Sequence, residues 1–102
     1  RFLRPETLKL MTTNQRGEMP KVSFAEGMRM GLGFHVVGTP VGVTESLSPG
    51  SFGHGGAYGT QAWIDPVRRQ AYVLLIQRTD LANSDGSEIR REFQKTAVEA
   101  FK

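Results

Sequence analysis

Hydrophobic and polar positions change their period several times along this chain, and each change marks an element. Pro5 at a first helical position, followed by Glu6, Leu8, Leu10 and Met11, predicts a helix of about two turns that ends near Thr12 and gives its leucines a small core contact. From Asn14 to Glu26, polar residues mix with Gly17 and Pro20 without a sustained period, so a loop is expected, with Met28 and Met30 filling gaps beside it. Met30 to Val37 interleaves Gly31 and Gly33 with Leu32, Phe34, Val36 and Val37 and predicts a strand, which Gly38 and Pro40 interrupt. Phe52 to Gly56, Thr60 to Ile64 and Ala71 to Arg78 predict three more, the last two joined by a turn at Asp65-Pro66-Val67-Arg68-Arg69. The arrangement is an antiparallel meander in which Trp63 and Tyr72 make core or cross-strand contacts. Asp85 stands three residues before Glu88, the spacing of a capping box, and Ile89, Phe93, Ala97 and Phe101 then recur at helical intervals. The chain therefore ends in an amphipathic helix whose arginines form the solvated face.

The fold class that follows is α/β of the α+β type: an antiparallel sheet with the C-terminal helix on one face. One tension remains in this plan. Tyr72-Val73-Leu74-Leu75-Ile76 is apolar on both faces and asks to be a central strand covered above and below, whereas one long helix covers one face only. Leaving Val73, Leu75, Trp63 and Phe34 open would create an apolar patch larger than monomers usually carry, so a missing N-terminal segment or a second copy of the chain is expected to cover it. The start at Arg1 instead of Met, and an opening that reads as the middle of a helix-rich region, point the same way: residues 1–102 are expected to be a single partial domain of something longer.

Composition narrows the chemistry. At 102 residues, 38% hydrophobic and 23% charged, the chain suits one globular domain and shows no bias toward disorder. A net charge of +3 is spread over scattered basic residues, with no run longer than Arg68-Arg69 or Arg90-Arg91, so a nucleic-acid partner is not expected. The absence of cysteine excludes disulfides and thiolate metal sites while leaving the compartment open. Ala71 to Ile76, the longest apolar run, is far short of the roughly 20 residues that span a bilayer.

The densest chemistry lies in Gly50-Ser51-Phe52-Gly53-His54-Gly55-Gly56-Ala57-Tyr58-Gly59-Thr60, where five glycines and one histidine sit between two predicted strands. Glycine lets backbone N–H groups approach a ligand, and histidine titrates near neutral pH. His35, on the preceding strand pattern, is expected to face solvent or an edge. It stands 19 residues from His54 with no carboxylate placed beside the pair, so no metal site is expected. A phosphate loop would end in Gly-Lys-Ser/Thr and open a helix, and this stretch does neither, so neither a nucleotide nor any other cofactor is expected.

The segment His54-Gly55-Gly56 resembles the third active-site motif of the serine β-lactamase and penicillin-binding protein superfamily, a Lys-Thr-Gly or His-x-Gly triplet on a strand lining the acyl-transfer site. Other pieces resemble the same family in the same order. Phe2-Leu3-Arg4-Pro5-Glu6-Thr7-Leu8 with Met11-Thr12 is similar to the Leu-Ser-Pro-Glu-Thr-Val helix after the second motif, and Gly31-Leu32-Gly33-Phe34 to the strand before the third. Trp63-Ile64-Asp65-Pro66 resembles the strand and turn that follow it, and Ala71 to Gln77 the next strand. The resemblance implies the C-terminal part of a β-lactamase-like α/β sandwich and, in the complete protein, a serine hydrolase working through an acyl-enzyme on a small ester or amide. A periplasmic or secreted setting is in keeping with it.

By this resemblance His54 shapes the electrostatics of the site, the backbone N–H of Ala57 is one oxyanion-hole donor, Gly56 keeps the strand clear of substrate and Tyr58 borders the pocket. Gly55 stands where the family places a hydroxyl that binds a substrate carboxylate, which implies ester hydrolysis ahead of lactam hydrolysis. No Ser-x-x-Lys and no Tyr-x-Asn occurs in these residues, so the nucleophile and base are expected elsewhere. The alternative is a non-catalytic binding or structural module, including a degenerate homologue that dimerises through the glycine strand.

Overall fold

Five strands pair in the order in which the chain makes them. Met28–Met30 (β1), His35–Val37 (β2), Phe52–Gly55 (β3), Gln61–Asp65 (β4) and Gln70–Leu74 (β5) form one antiparallel sheet, preceded by Pro5–Met11 (α1) and followed by Glu88–Ala100 (α2). Gly42–Thr44 forms a single 3₁₀ turn between β2 and β3. These elements belong to a computed structural model that describes residues 2–19, 26–80 and 87–102. Asp85, the first residue of the expected capping box, lies outside the described residues. The residue that precedes α2 is Ser87, with no hydrogen bond from its side chain to the helix.

Strand β4 shows the alternation that places the core. Gln61, Trp63 and Asp65 are buried on one face while Ala62 and Ile64 point away, as a period of two requires. Trp63 pairs with Tyr72 across the β4–β5 ladder, and both are buried with Met28, Val37, Leu47 and Val98 of α2. The helix thus covers one face of the sheet, as expected, and Phe93 and Ala97 pack at the margin of this core.

Four expectations are corrected. The strand expected from Met30 to Val37 is a hairpin: Gly31-Leu32-Gly33-Phe34 connects β1 to β2, because Gly33 takes φ +81°, a left-handed conformation that reverses the chain. Met28 is a core residue of β1 instead of a gap-filler. The leucines of α1 make no core contact, and Leu8 and Leu10 are about half exposed; the helix is tied to the sheet by its main chain, the Leu32 N–H donating to Met11 O at 3.0 Å. The buried stripe of α2 is Arg90, Gln94 and Val98, while Ile89 and Phe101 are exposed. Hydrophobic spacing misplaced this stripe by one residue because two polar side chains occupy its centre.

A fifth correction bears on β5, which stands at the edge of the sheet among the described residues and not at its centre. Its inner face is covered through Tyr72. Its outer face is open, with Val73 54% and Leu75 81% exposed. Trp63 is buried and Phe34 is half-buried, edge-on to Phe52 at 5.4 Å, so the open patch is smaller than the sequence suggests.

The β4–β5 turn is held by one carboxylate. Asp65 Oδ1 accepts from the N–H groups of Val67 (3.0 Å) and Arg68 (2.9 Å), and Oδ2 accepts from Ser48 N–H (3.0 Å) and the Arg68 guanidinium (2.8 Å). Burial by itself raises the Asp65 pKa, but these donors outweigh it and lower the carboxyl from 3.8 to about 2. A carboxylate whose pKa is depressed on folding contributes stability that is full above the unfolded value and is lost as pH falls through the folded one. That contribution is about 2 kcal/mol. Between pH 4 and pH 2 the native chain should lose about that much more unfolding free energy than Asp65→Asn does, as read by urea titration at each pH; parallel curves would remove the carboxylate from this role.

Strand β3 lies against β4 with no room to spare at Gly53. A Cβ there would fall 2.0 Å from the carbonyl oxygen of Ala62 and 2.9 Å from the Trp63 ring. Main chain cannot swing aside as a side-chain tip can, so Gly53→Ala should cost about 1–3 kcal/mol by overpacking. A thermal midpoint equal to that of the native protein would show that the two strands separate freely.

Candidate active site

The β3–β4 hairpin carries the glycine-histidine stretch to one end of the sheet. Its closure is defined by Gly56 N–H to Thr60 O at 2.8 Å and Gly59 N–H to Gly56 O at 3.1 Å. A Cβ on Gly56 would meet Thr60 Oγ1 at 2.2 Å, so a larger residue there would have to turn the Thr60 side chain aside. His54, Gly55 and Gly56 line an open cavity of about 300 Å³ together with Thr60, Ala62, Val73 and Leu75. Polar backbone and one imidazole thus meet an apolar floor, the composition of a small-molecule site.

His54 is exposed, and its Nδ1 donates to the carbonyl of Gly55 at 2.6 Å. A carbonyl only accepts, so Nδ1 carries a proton in this contact. The ring stacks on His35 with centroids 4.5 Å apart and planes inclined by 22°. His35 corrects its expectation: it is buried, on a strand paired on both sides, and supports His54 from behind. Its face was readable in the sequence, since a residue two before the core residue Val37 shares that residue's side of a strand.

Ala57 and Tyr58 stand at the exposed tip of the hairpin, outside the lining of the cavity. Among the described residues no acceptor takes the Ala57 N–H. The Tyr58 carbonyl accepts from Arg78 N–H at 2.9 Å, which anchors the tip to the chain beyond β5.

One residue that sequence reasoning assigned to the solvated face controls this tip. Arg90, in the first turn of α2, is 2% exposed. Its guanidinium donates to three carbonyls of the hairpin: Gly56 at 2.6 Å, Thr60 at 2.5 Å and Gly59 at 3.1 Å. The Gln61 amide donates to Arg90 O at 3.2 Å, and the Trp63 indole donates to Gln61 Oε1 at 3.1 Å. A chain of polar contacts therefore runs from the core tryptophan through the helix to the turn. Arg91 fills the expected solvated role, 2.8 Å from Glu88. Nothing in the sequence separates these two adjacent arginines except their position one residue apart on a helix.

Among the described residues no helix is long and apolar enough to cross a membrane, and no three His, Asp or Glu side chains converge as metal ligands. With this geometry in hand, the comparisons with known proteins are specific. The Beta-lactamase family pattern matches residues 1–97. The esterase/beta-lactamase LipL of Mycobacterium tuberculosis (strain ATCC 25618 / H37Rv) is 35% identical over 78 residues, which are 76% of this chain and 17% of that protein. The chain thus spans about a sixth of the length of the curated relative it matches.

Proposed function

Because this chain belongs to the β-lactamase family of serine hydrolases, we propose that it forms one wall of an acyl-transfer site and that the complete protein hydrolyses small esters. One observation carries this reading: His54-Gly55-Gly56 lines an open cavity, and the next residue, Ala57, presents a backbone N–H that no described residue accepts. A serine hydrolase needs a donor of this kind aimed at the oxygen that becomes negative as the acyl carbon turns tetrahedral. We place the nucleophile, its base and the second donor in a segment beyond these residues, in keeping with the share of LipL that the chain matches. The same segment would cover the outer sheet face that Val73 and Leu75 leave open.

In this reaction the serine Oγ attacks the acyl carbon, its proton passes to the base, and the ester C–O bond breaks to release an alcohol. Water then cleaves the acyl-enzyme and regenerates the serine. His54 borders the reacting centre with Nδ1 donating to Gly55 O, so it polarises the site or relays a proton through its other ring nitrogen. Gly55 has no hydroxyl to bind a substrate carboxylate, which favours neutral esters over β-lactams. The name of the relative, an esterase/beta-lactamase, fits either substrate class.

His54→Ala in the intact protein should lower kcat for a p-nitrophenyl ester by about 10- to 1,000-fold, the range for lost electrostatic or proton-transfer assistance. Steady-state kinetics on folded variant protein checks this. Unchanged turnover would remove His54 from the mechanism.

A further inference from the structure

We propose that Arg90 is a positioning residue that fixes the direction of the Ala57 N–H; this rests on the reading of Ala57 as an oxyanion donor. The carbonyl of Gly56 and the N–H of Ala57 belong to one planar trans unit, so they point in opposite directions and turn together. Arg90 Nη2 holds the Gly56 oxygen at 2.6 Å, and Gly59 N–H holds the same oxygen at 3.1 Å. Pinning that oxygen toward α2 aims the Ala57 N–H away from it.

Without the guanidinium this peptide plane, at the tip of a glycine-rich turn, keeps only the Gly59 N–H on its oxygen, a bond that moves with the turn itself. The remaining guanidinium contacts, to Gly59 O and Thr60 O, hold the other side of the turn and prevent it from tilting as a body. A planar fork meets several carbonyls at once in a way an ammonium group does not. A positive charge on the carbonyl oxygen also draws density from the amide, which strengthens its N–H as a donor. The burial of Arg90 in the first turn of α2 makes this hold rigid.

The test uses the intact protein, its competent sites counted by the p-nitrophenol released on covalent reaction with a p-nitrophenyl phosphonate and its kcat measured on a p-nitrophenyl ester. Arg90→Met should lower kcat per titrated site about 10- to 100-fold, approaching the loss of one oxyanion donor, with KM within about twofold. Arg90→Lys restores one contact but not the fork and should lie between Arg90→Met and the native enzyme, about 3- to 10-fold down. A purely structural role would reduce the number of titrated sites and leave the rate at each one unchanged. That result, for Arg90→Met or, should it not fold, for Arg90→Lys, overturns the proposal. His54→Ala measured alongside separates the two claims. A native protein that is labelled and turns over, with a damaged His54→Ala beside unaffected Arg90 variants, sinks only the role of Arg90, whereas a native protein that neither is labelled nor turns over the ester sinks the acyl-transfer reading itself.

Discussion

A buried guanidinium joins the long C-terminal helix to the tip of the β3–β4 hairpin, and the arrangement of the segment follows from that junction. Arg90 reaches three turn carbonyls, while its own carbonyl accepts from Gln61, whose amide oxygen in turn accepts from Trp63. Trp63 pairs with Tyr72 and packs in the core with Val98, which lies about two turns beyond Arg90 on the same buried face of α2. Strand β4 is therefore anchored at both ends by polar groups that are almost wholly buried, Gln61 at its start and Asp65 at its end. A charge without such partners would be costly to bury; here hydrogen bonding to main-chain carbonyls offsets the desolvation. The helix, the sheet and the glycine turn are consequently one mechanical unit.

Much of this architecture was legible because it follows from local rules. The β3–β4–β5 meander, the Asp65-to-Arg69 turn and the Trp63–Tyr72 pairing come from strand alternation and turn chemistry, and the structure shows all three. The β1–β2 hairpin was not legible, since Gly31 and Gly33 fit an interleaved strand as well as a reversal and only the φ of Gly33 decides between them. The buried stripe of α2 was misplaced for a different reason. Periodicity counts apolar residues, and the stripe is occupied by Arg90, held by turn carbonyls, and by Gln94, neither of which that count registers.

The same distinction runs through the site. His54 and its glycines stood out as residue types in a particular spacing, and they do line a cavity. His35 stacks on His54 and Arg90 bonds Gly56 from the helix, and each is identified only when the fold brings it to the hairpin. The hydrogen bonds of the turn account for how the glycine-histidine strand is held.

The most direct measurement is a crystal structure of the intact protein after covalent reaction with a p-nitrophenyl phosphonate, whose phosphoryl oxygen mimics the oxyanion. The account predicts that oxygen about 2.7–3.1 Å from the Ala57 backbone nitrogen, with Gly56 O still gripped by Arg90 and the His54 ring beside the adduct. An adduct whose oxygen is held by other donors, with the Ala57 N–H turned to solvent, would contradict it.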